Sequence, residues 1–137
     1  MKRLLIYIIG FVLTTAVASA QDYETDYRAL QQQFEERSAT TPALIKTYHE
    51  QYPYTPYSDE IHLMEGVLHA EKEKYKQAIK AFSKINAKNL SRETQPMLHF
   101  YWGYALLKQE NYKKALSYLL RVKQKESLYT PHARYYA

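Results

Sequence analysis

One feature dominates this sequence: a stretch of it occurs twice. Residues 66–82, GVLHAEKEKYKQAIKAF, lie over residues 103–119, GYALLKQENYKKALSYL, at a single offset. Gly66 and Gly103, Tyr75 and Tyr112, Ala78 and Ala115, and Phe82 and Leu119 are each 37 positions apart, as are His62 and His99. A chain that repeats at such a period builds one supersecondary unit more than once, and neighbouring units share a core. Both glycines fall within the first helix of their copy, where a helix interior penalises glycine by ~1 kcal/mol against alanine. Close approach of a second helix offsets that cost, and the small Ala78 and Ala115 on that second helix permit it. Tyr75 and Tyr112 follow the turn, where each is expected to plug the end of its pair. Phe82 and Leu119 continue the buried stripe one turn beyond the alanines.

The hydrophobic period is helical along the rest of the chain. Tyr27, Leu30 and Phe34 predict a first helix over roughly 24–38. Thr41-Pro42 reads as an N-cap followed by proline at the first helical position. It opens a short second helix with Leu44, Ile45 and Tyr48 as its apolar face. Two prolines in Gln51-Tyr52-Pro53-Tyr54-Thr55-Pro56 end it. Ser58 is expected to cap a third helix running to Glu71, with Asp59 and Glu60 at the positive end of its dipole. A fourth covers about 75–87, a fifth runs from a cap at Ser91 or Thr94 to about Gln109, and a sixth covers about 112–123. Thr130-Pro131 opens a seventh. Connections this short force antiparallel neighbours, so the expected class is all-α. The few glycines argue against a turn-rich β protein.

The pattern Tyr-x-x-Ala-x-x-x-Phe or Leu after a small residue, present in both copies, resembles the tetratricopeptide repeat family. The phrase Tyr52-Pro53-Tyr54-Thr55-Pro56-Tyr57-Ser58-Asp59-Glu60 is similar to the start of repeats in exported bacterial envelope proteins of the Tol-Pal coordinator and Bam-complex lipoprotein kind. Tyr129-Thr130-Pro131 repeats Tyr54-Thr55-Pro56 and opens a further repeat. The resemblance implies helix pairs stacked as a right-handed α-solenoid. Repeats are expected at about 56–90 and 91–128, with a truncated one from 129, after a degenerate helix pair over 21–55. The family usually places large apolar groups where this chain has His62, Glu65 and His69. The second copy has His99, Trp102 and Leu106 there. Since the chain stops inside what should be a helix, a piece of a longer array is expected.

The N-terminus reads as a secretory signal over 1–20. Lys2 and Arg3 precede an apolar run from Leu4 to Val17, and Ala18-Ser19-Ala20 has the small-x-small form, with cleavage expected before Gln21. The run is shorter than the ~20 residues that cross a bilayer, which disfavours an uncleaved anchor. There is no cysteine, which excludes disulfides, thiolate metal sites and a lipidated cysteine. The expected location is therefore the periplasm or cell envelope, and a lipoprotein is not expected. The formal charge of +5 falls to +3 once Lys2 and Arg3 leave, and bases alternate with acids. No cationic block suggests nucleic acid as a partner. Of the 15 tyrosines only Tyr7 lies in the signal.

The family binds partners on the concave face formed by the first helices of successive pairs. By register, that face would hold Glu60, Leu63, Val67, Ala70 and Glu71, then Met97, Phe100, Tyr104, Leu107 and Lys108. Leu63, Val67, Phe100 and Tyr104 would form an apolar strip suited to an extended peptide or a helix, with aromatic anchors. The plainer alternative is that they are core beneath an adjoining helix. His62, Glu65 and His69 share one helix face and could ligate a metal. They read first as a hydrogen-bonded cluster in which Glu65 orients His69, so no cofactor is expected. Lys76, Lys80, Lys84 and Lys88 form an i, i+4 stripe, read as a solvated face before an anion site. Neither a phosphate loop nor a nucleophile constellation supports catalysis. The expected role is a binding scaffold for a protein or peptide, the alternative a glycan or peptidoglycan module using surface tyrosines.

Overall fold

In a computed structural model the described residues are 22–123 and 128–137, and all regular structure among them is helical. The expected signal segment and its cleavage site lie outside them. Helix α1 covers 22–35. It is followed by α2 (Thr41–Gln51), α3 (Ser58–Glu71), α4 (Tyr75–Phe82), a 3-10 turn (Ala87–Asn89), α5 (Gln95–Lys108), α6 (Tyr112–Lys123) and α7 (Thr130–Tyr136). The chain divides into two compact units that meet in sequence at Thr55 and Pro56.

In the first unit Tyr27, Leu30 and Phe34 are buried on α1, as their spacing predicts. On α2 the buried face is Thr41, Ile45 and Tyr48, and Leu44 is exposed. Thr41 is helical and does not cap. Its hydroxyl donates to the Gln33 carbonyl at 3.0 Å, closing α2 back onto the last turn of α1. The Tyr48 hydroxyl donates to the Tyr23 carbonyl at 3.0 Å. Tyr52 donates to Asp26 Oδ2 at 2.8 Å, and this bond, ahead of burial, pushes its phenol up to about 12.

The second unit holds the two sequence copies as two helical hairpins, α3–α4 and α5–α6. Helix α3 packs on α4, α4 on α5, α5 on α6, α6 on α7, and α3 also touches α5. Gly66 is buried, and a β-carbon there would overlap the Phe82 ring, with Cζ at 2.8 Å. A β-carbon on Gly103 would lie 2.9 Å from Leu119 Cγ and 3.2 Å from the Ala115 carbonyl oxygen. Ala78 and Ala115 are buried on the facing helices. Helix propensity is thus given up at both glycines for close packing, and each fully buried Phe or Leu side chain so placed contributes ~1.5–3 kcal/mol.

The hairpin turns repeat as well. Glu73 and Glu110 have φ of 58° and 60°, the left-handed region usually given to glycine. Behind them Lys74 N donates to the His69 carbonyl at 2.8 Å and Asn111 N to the Leu106 carbonyl at 2.9 Å. The turn between α1 and α2 is built alike, with Arg37 at φ 52° and Ser38 N donating to the Gln33 carbonyl at 3.0 Å. These paired bonds satisfy the last carbonyls of each helix and turn the chain back within a few residues.

Helix α4 is shorter than its period predicts, ending at Phe82 and not near Ala87. Ser83 follows, and its hydroxyl donates to the Lys80 carbonyl at 2.7 Å. Asn86 then starts the 3-10 turn by accepting from Lys88 N at 3.2 Å. Asp59 and Glu60 hold this connector as well as opening α3. Asp59 accepts from Asn86 N at 3.1 Å and Asn89 Nδ2 at 2.7 Å, and Glu60 accepts from the Thr94 hydroxyl at 3.1 Å. Lys84 and Lys88 therefore leave the helix, and the four lysines, all exposed, form no continuous stripe. Ser58 is the first residue of α3, whose N-cap is Tyr57, and Thr94 caps α5 without a side-chain bond; both N-caps lie in the αR region. Among the described residues no helix is long and apolar enough to cross a membrane.

Candidate binding site, an aromatic cup

The two hairpins and α7 enclose a concavity of about 400 Å³. Helix α3 contributes Ala70 and Glu71 from its last turn, the following turn contributes Glu73, and α4 opens with Tyr75. Helix α5 contributes Phe100, Tyr101 and Tyr104, and Tyr129, His132 and Tyr136 come from the start and body of α7. The i, i+4 spacing of Phe100 and Tyr104 places their rings one above the other. They lie 6.2 Å apart and nearly parallel.

The rings brace one another. Phe100 stacks on Tyr129 at 5.3 Å, Tyr104 meets Tyr136 edge-on at 5.1 Å, and Tyr75 meets Tyr104 edge-on at 6.0 Å. Such pairs add ~0.5–1.5 kcal/mol beyond area burial. Phe100, Tyr129 and Tyr136 also rest on the buried cluster of Leu119, Val122 and Ala133. The floor is therefore anchored in the core and the upper rings stay half-exposed. Burial, together with a hydroxyl contact to Tyr104, raises the Tyr75 phenol. At the rim the Tyr101 hydroxyl donates to Glu71 Oε1 at 3.1 Å. Lys108 holds its ammonium 5.5 Å from the centre of the Tyr104 ring.

Of the expected concave-face residues, the structure brings Ala70, Glu71, Phe100 and Tyr104 together. Leu63 and Val67 are buried and belong to the core, which corrects the expected strip. They hold the positions that Phe100 and Tyr104 hold 37 residues later, but α5 of the next hairpin also packs against α3, whereas the equivalent rings of α5 open into the cup. Met97 is half-buried and outside the cup. Leu107 lines a separate groove of about 170 Å³ with Tyr112, Leu116 and Tyr136. Tyr112 is 63% exposed and plugs nothing, whereas Tyr75 finds a partner in Tyr104. Register does not point to Glu73, Tyr101, Tyr129, His132 or Tyr136 as lining residues. The signal visible in the sequence is the clustering of tyrosine around Thr130-Pro131.

The polar face of α3 is a chain of three side chains. His62 Nδ1 lies 3.4 Å from Glu65 Oε2, and His69 Nε2 lies 3.9 Å from Glu65 Oε1. Burial holds the His69 imidazole below its usual 6.5, against the pull of the Glu65 carboxylate. The carboxylate turns a different oxygen to each ring, an arrangement that fixes side-chain orientation. In the second copy His99 instead lies 6.1 Å from Tyr118, and Trp102 stacks on Tyr118 at 4.5 Å.

No family model, curated protein or solved structure matches the chain, so its likeness to known proteins rests on the repeated residues themselves.

Proposed function

We propose that this protein is a tetratricopeptide-like repeat scaffold of the bacterial envelope that binds a segment of another protein in the aromatic cup. The observation that carries this reading is the placement of Phe100, Tyr101 and Tyr104 with α7 tyrosines around an open concavity of about 400 Å³. Half-exposed rings anchored from below are what an interface hot spot requires: large apolar area with little entropy left to lose. The lining draws on α3, α5 and α7, which supports stacking of successive hairpins with their first helices toward one face. A role in binding and not catalysis, export by a signal over 1–20, and a periplasmic or envelope location without a lipid anchor complete the proposal. The sequence pattern of the N-terminus supports the last two.

The test is capture from an envelope extract with crosslinking, followed by the same experiment with Phe100→Ala and Tyr104→Ala combined. Loss of the captured protein in the variant, with its fold intact by circular dichroism, supports the reading; unchanged capture overturns it. Mass measurement of the exported chain should find Gln21 first. A glycan-binding module is the second reading, because the same tyrosine faces stack on sugar rings. Retention on a peptidoglycan or chitin-oligomer column would favour it.

A further inference from the structure

We infer that the aromatic cup takes a basic side chain of the bound segment, arginine above all, held between ring faces and the carboxylates of Glu71 and Glu73. The inference rests on the binding reading above and names the chemistry of its anchor.

Charge distribution is the first support. The sequence carries 19 lysines and arginines against 14 aspartates and glutamates. Yet the charged side chains lining the cup are Glu71 and Glu73, and among the described residues no lysine or arginine lines it. A basic chain thus lines this cup with carboxylates, while Lys108 reaches the Tyr104 ring from the rim. Both carboxylates sit at the C-terminal end of α3, where the helix dipole also favours a cation.

The rings are the second support. The face of an aromatic ring attracts a cation within ~6 Å of its centre, and more strongly where water is excluded. The protein already uses one cup ring this way, because the Lys108 ammonium lies 5.5 Å from the Tyr104 centroid. Phe100, Tyr101 and Tyr129 lie within about the same distance of one another. A planar guanidinium stacks on a ring while its edge donates to a carboxylate, which an ammonium cannot do with the same geometry. Glu71 is already set in place by the Tyr101 hydroxyl, so less orientation is lost on binding.

The experiment is an aromatic-ring NMR titration of the exported chain with capped Gly-Arg-Gly, with the citrulline analogue, which keeps the shape but not the charge, and with chitotriose. Arginine should shift the Phe100, Tyr104 and Tyr129 rings, with citrulline at least ~10-fold weaker. Glu71→Gln with Glu73→Gln should erase most of that difference, because the amides keep the hydrogen-bond acceptors and remove the charge. Both sites are exposed, so these changes leave the fold intact, and Tyr104→Leu adds an independent loss. Equal binding of arginine and citrulline overturns the basic anchor and leaves the protein-segment reading standing. Ring shifts with chitotriose alone overturn both, and ring shifts with none of the three overturn the anchor.

Discussion

The two hairpins of the second unit share a plan and differ in what they put inside it. At equivalent positions α3 has His62, Glu65 and His69, and α5 has His99, Trp102 and Leu106. The first set forms a polar chain through Glu65, and the second an aromatic stack on Tyr118. The second helices also differ. Phe82 ends α4, while its counterpart Leu119 lies inside α6, which runs on to Lys123. Backbone geometry is thus kept by the glycines, the alanines and the left-handed turn residues, while the remaining inward positions vary. What the pair teaches is that small residues at the crossing define the hairpin, and large residues around it are negotiable.

The largest effect should come at the glycines. Gly66→Ala puts a methyl group into the Phe82 ring and should cost ~3 kcal/mol, the upper end of usual overpacking penalties. Gly103→Ala meets Leu119 Cγ at 2.9 Å and the Ala115 carbonyl oxygen at 3.2 Å, a looser fit than at Gly66, and should cost ~1–2 kcal/mol, partly offset by the better helix propensity of alanine. Chemical denaturation measures both, and equal costs would break the comparison. Ala78→Leu and Ala115→Leu should each cost ~1–3 kcal/mol, while exposed Lys80→Leu should change stability by less than ~0.5 kcal/mol. Similar tolerance at all three would contradict the helix register.

The turns should behave alike in both copies. Glu110→Gly relieves a left-handed residue and should stabilise by ~0.5–1 kcal/mol, net of the entropy glycine adds to the unfolded chain. The same change at Glu73 should match it, and a difference in melting shift would show that the turns are not equivalent.

The smallest effect is a pH dependence that comes from His69. With its folded pKa below 6.5, His69 stays neutral in the fold while the unfolded imidazole takes up a proton. Stability is therefore undiminished above 6.5 and falls as pH drops from 6.5 through the lower folded value. His69→Leu, which copies Leu106, should flatten that slope while staying within ~1 kcal/mol of the parent at pH 8. An unchanged slope in urea denaturation between pH 5 and 8 would remove His69 as its source.

Much of the fold was legible because its determinants are local or spaced at helical intervals. Tyr27, Leu30 and Phe34 named the buried face of α1, and the glycine-to-alanine register named the tight crossings. What was not legible depends on particular side-chain contacts, some of them far along the chain. The early end of α4 follows from Ser83 turning back on Lys80 and from Asp59 reaching Asn86 and Asn89, contacts no periodicity encodes. The left-handed glutamates were hidden because glycine is the usual mark of such a turn. At the site, Phe100 and Tyr104 could be read from register. The same register offers Leu63 and Val67, and their burial follows from α5 packing on α3, which register does not encode. Tyr129 and Tyr136 required knowing where α7 folds back.

The central claim is that each hairpin is set by one small residue seated against one large one. A double-mutant cycle between Gly66→Ala and Phe82→Leu, read as unfolding free energy, tests it most directly. Leucine gives the first copy the side chain that the second copy already places against its glycine. Gly66→Ala should cost at least ~1 kcal/mol less in the Phe82→Leu background than in the parent. Strictly additive costs would mean that the methyl group and the ring never meet, and the crossing would have to be set by something else.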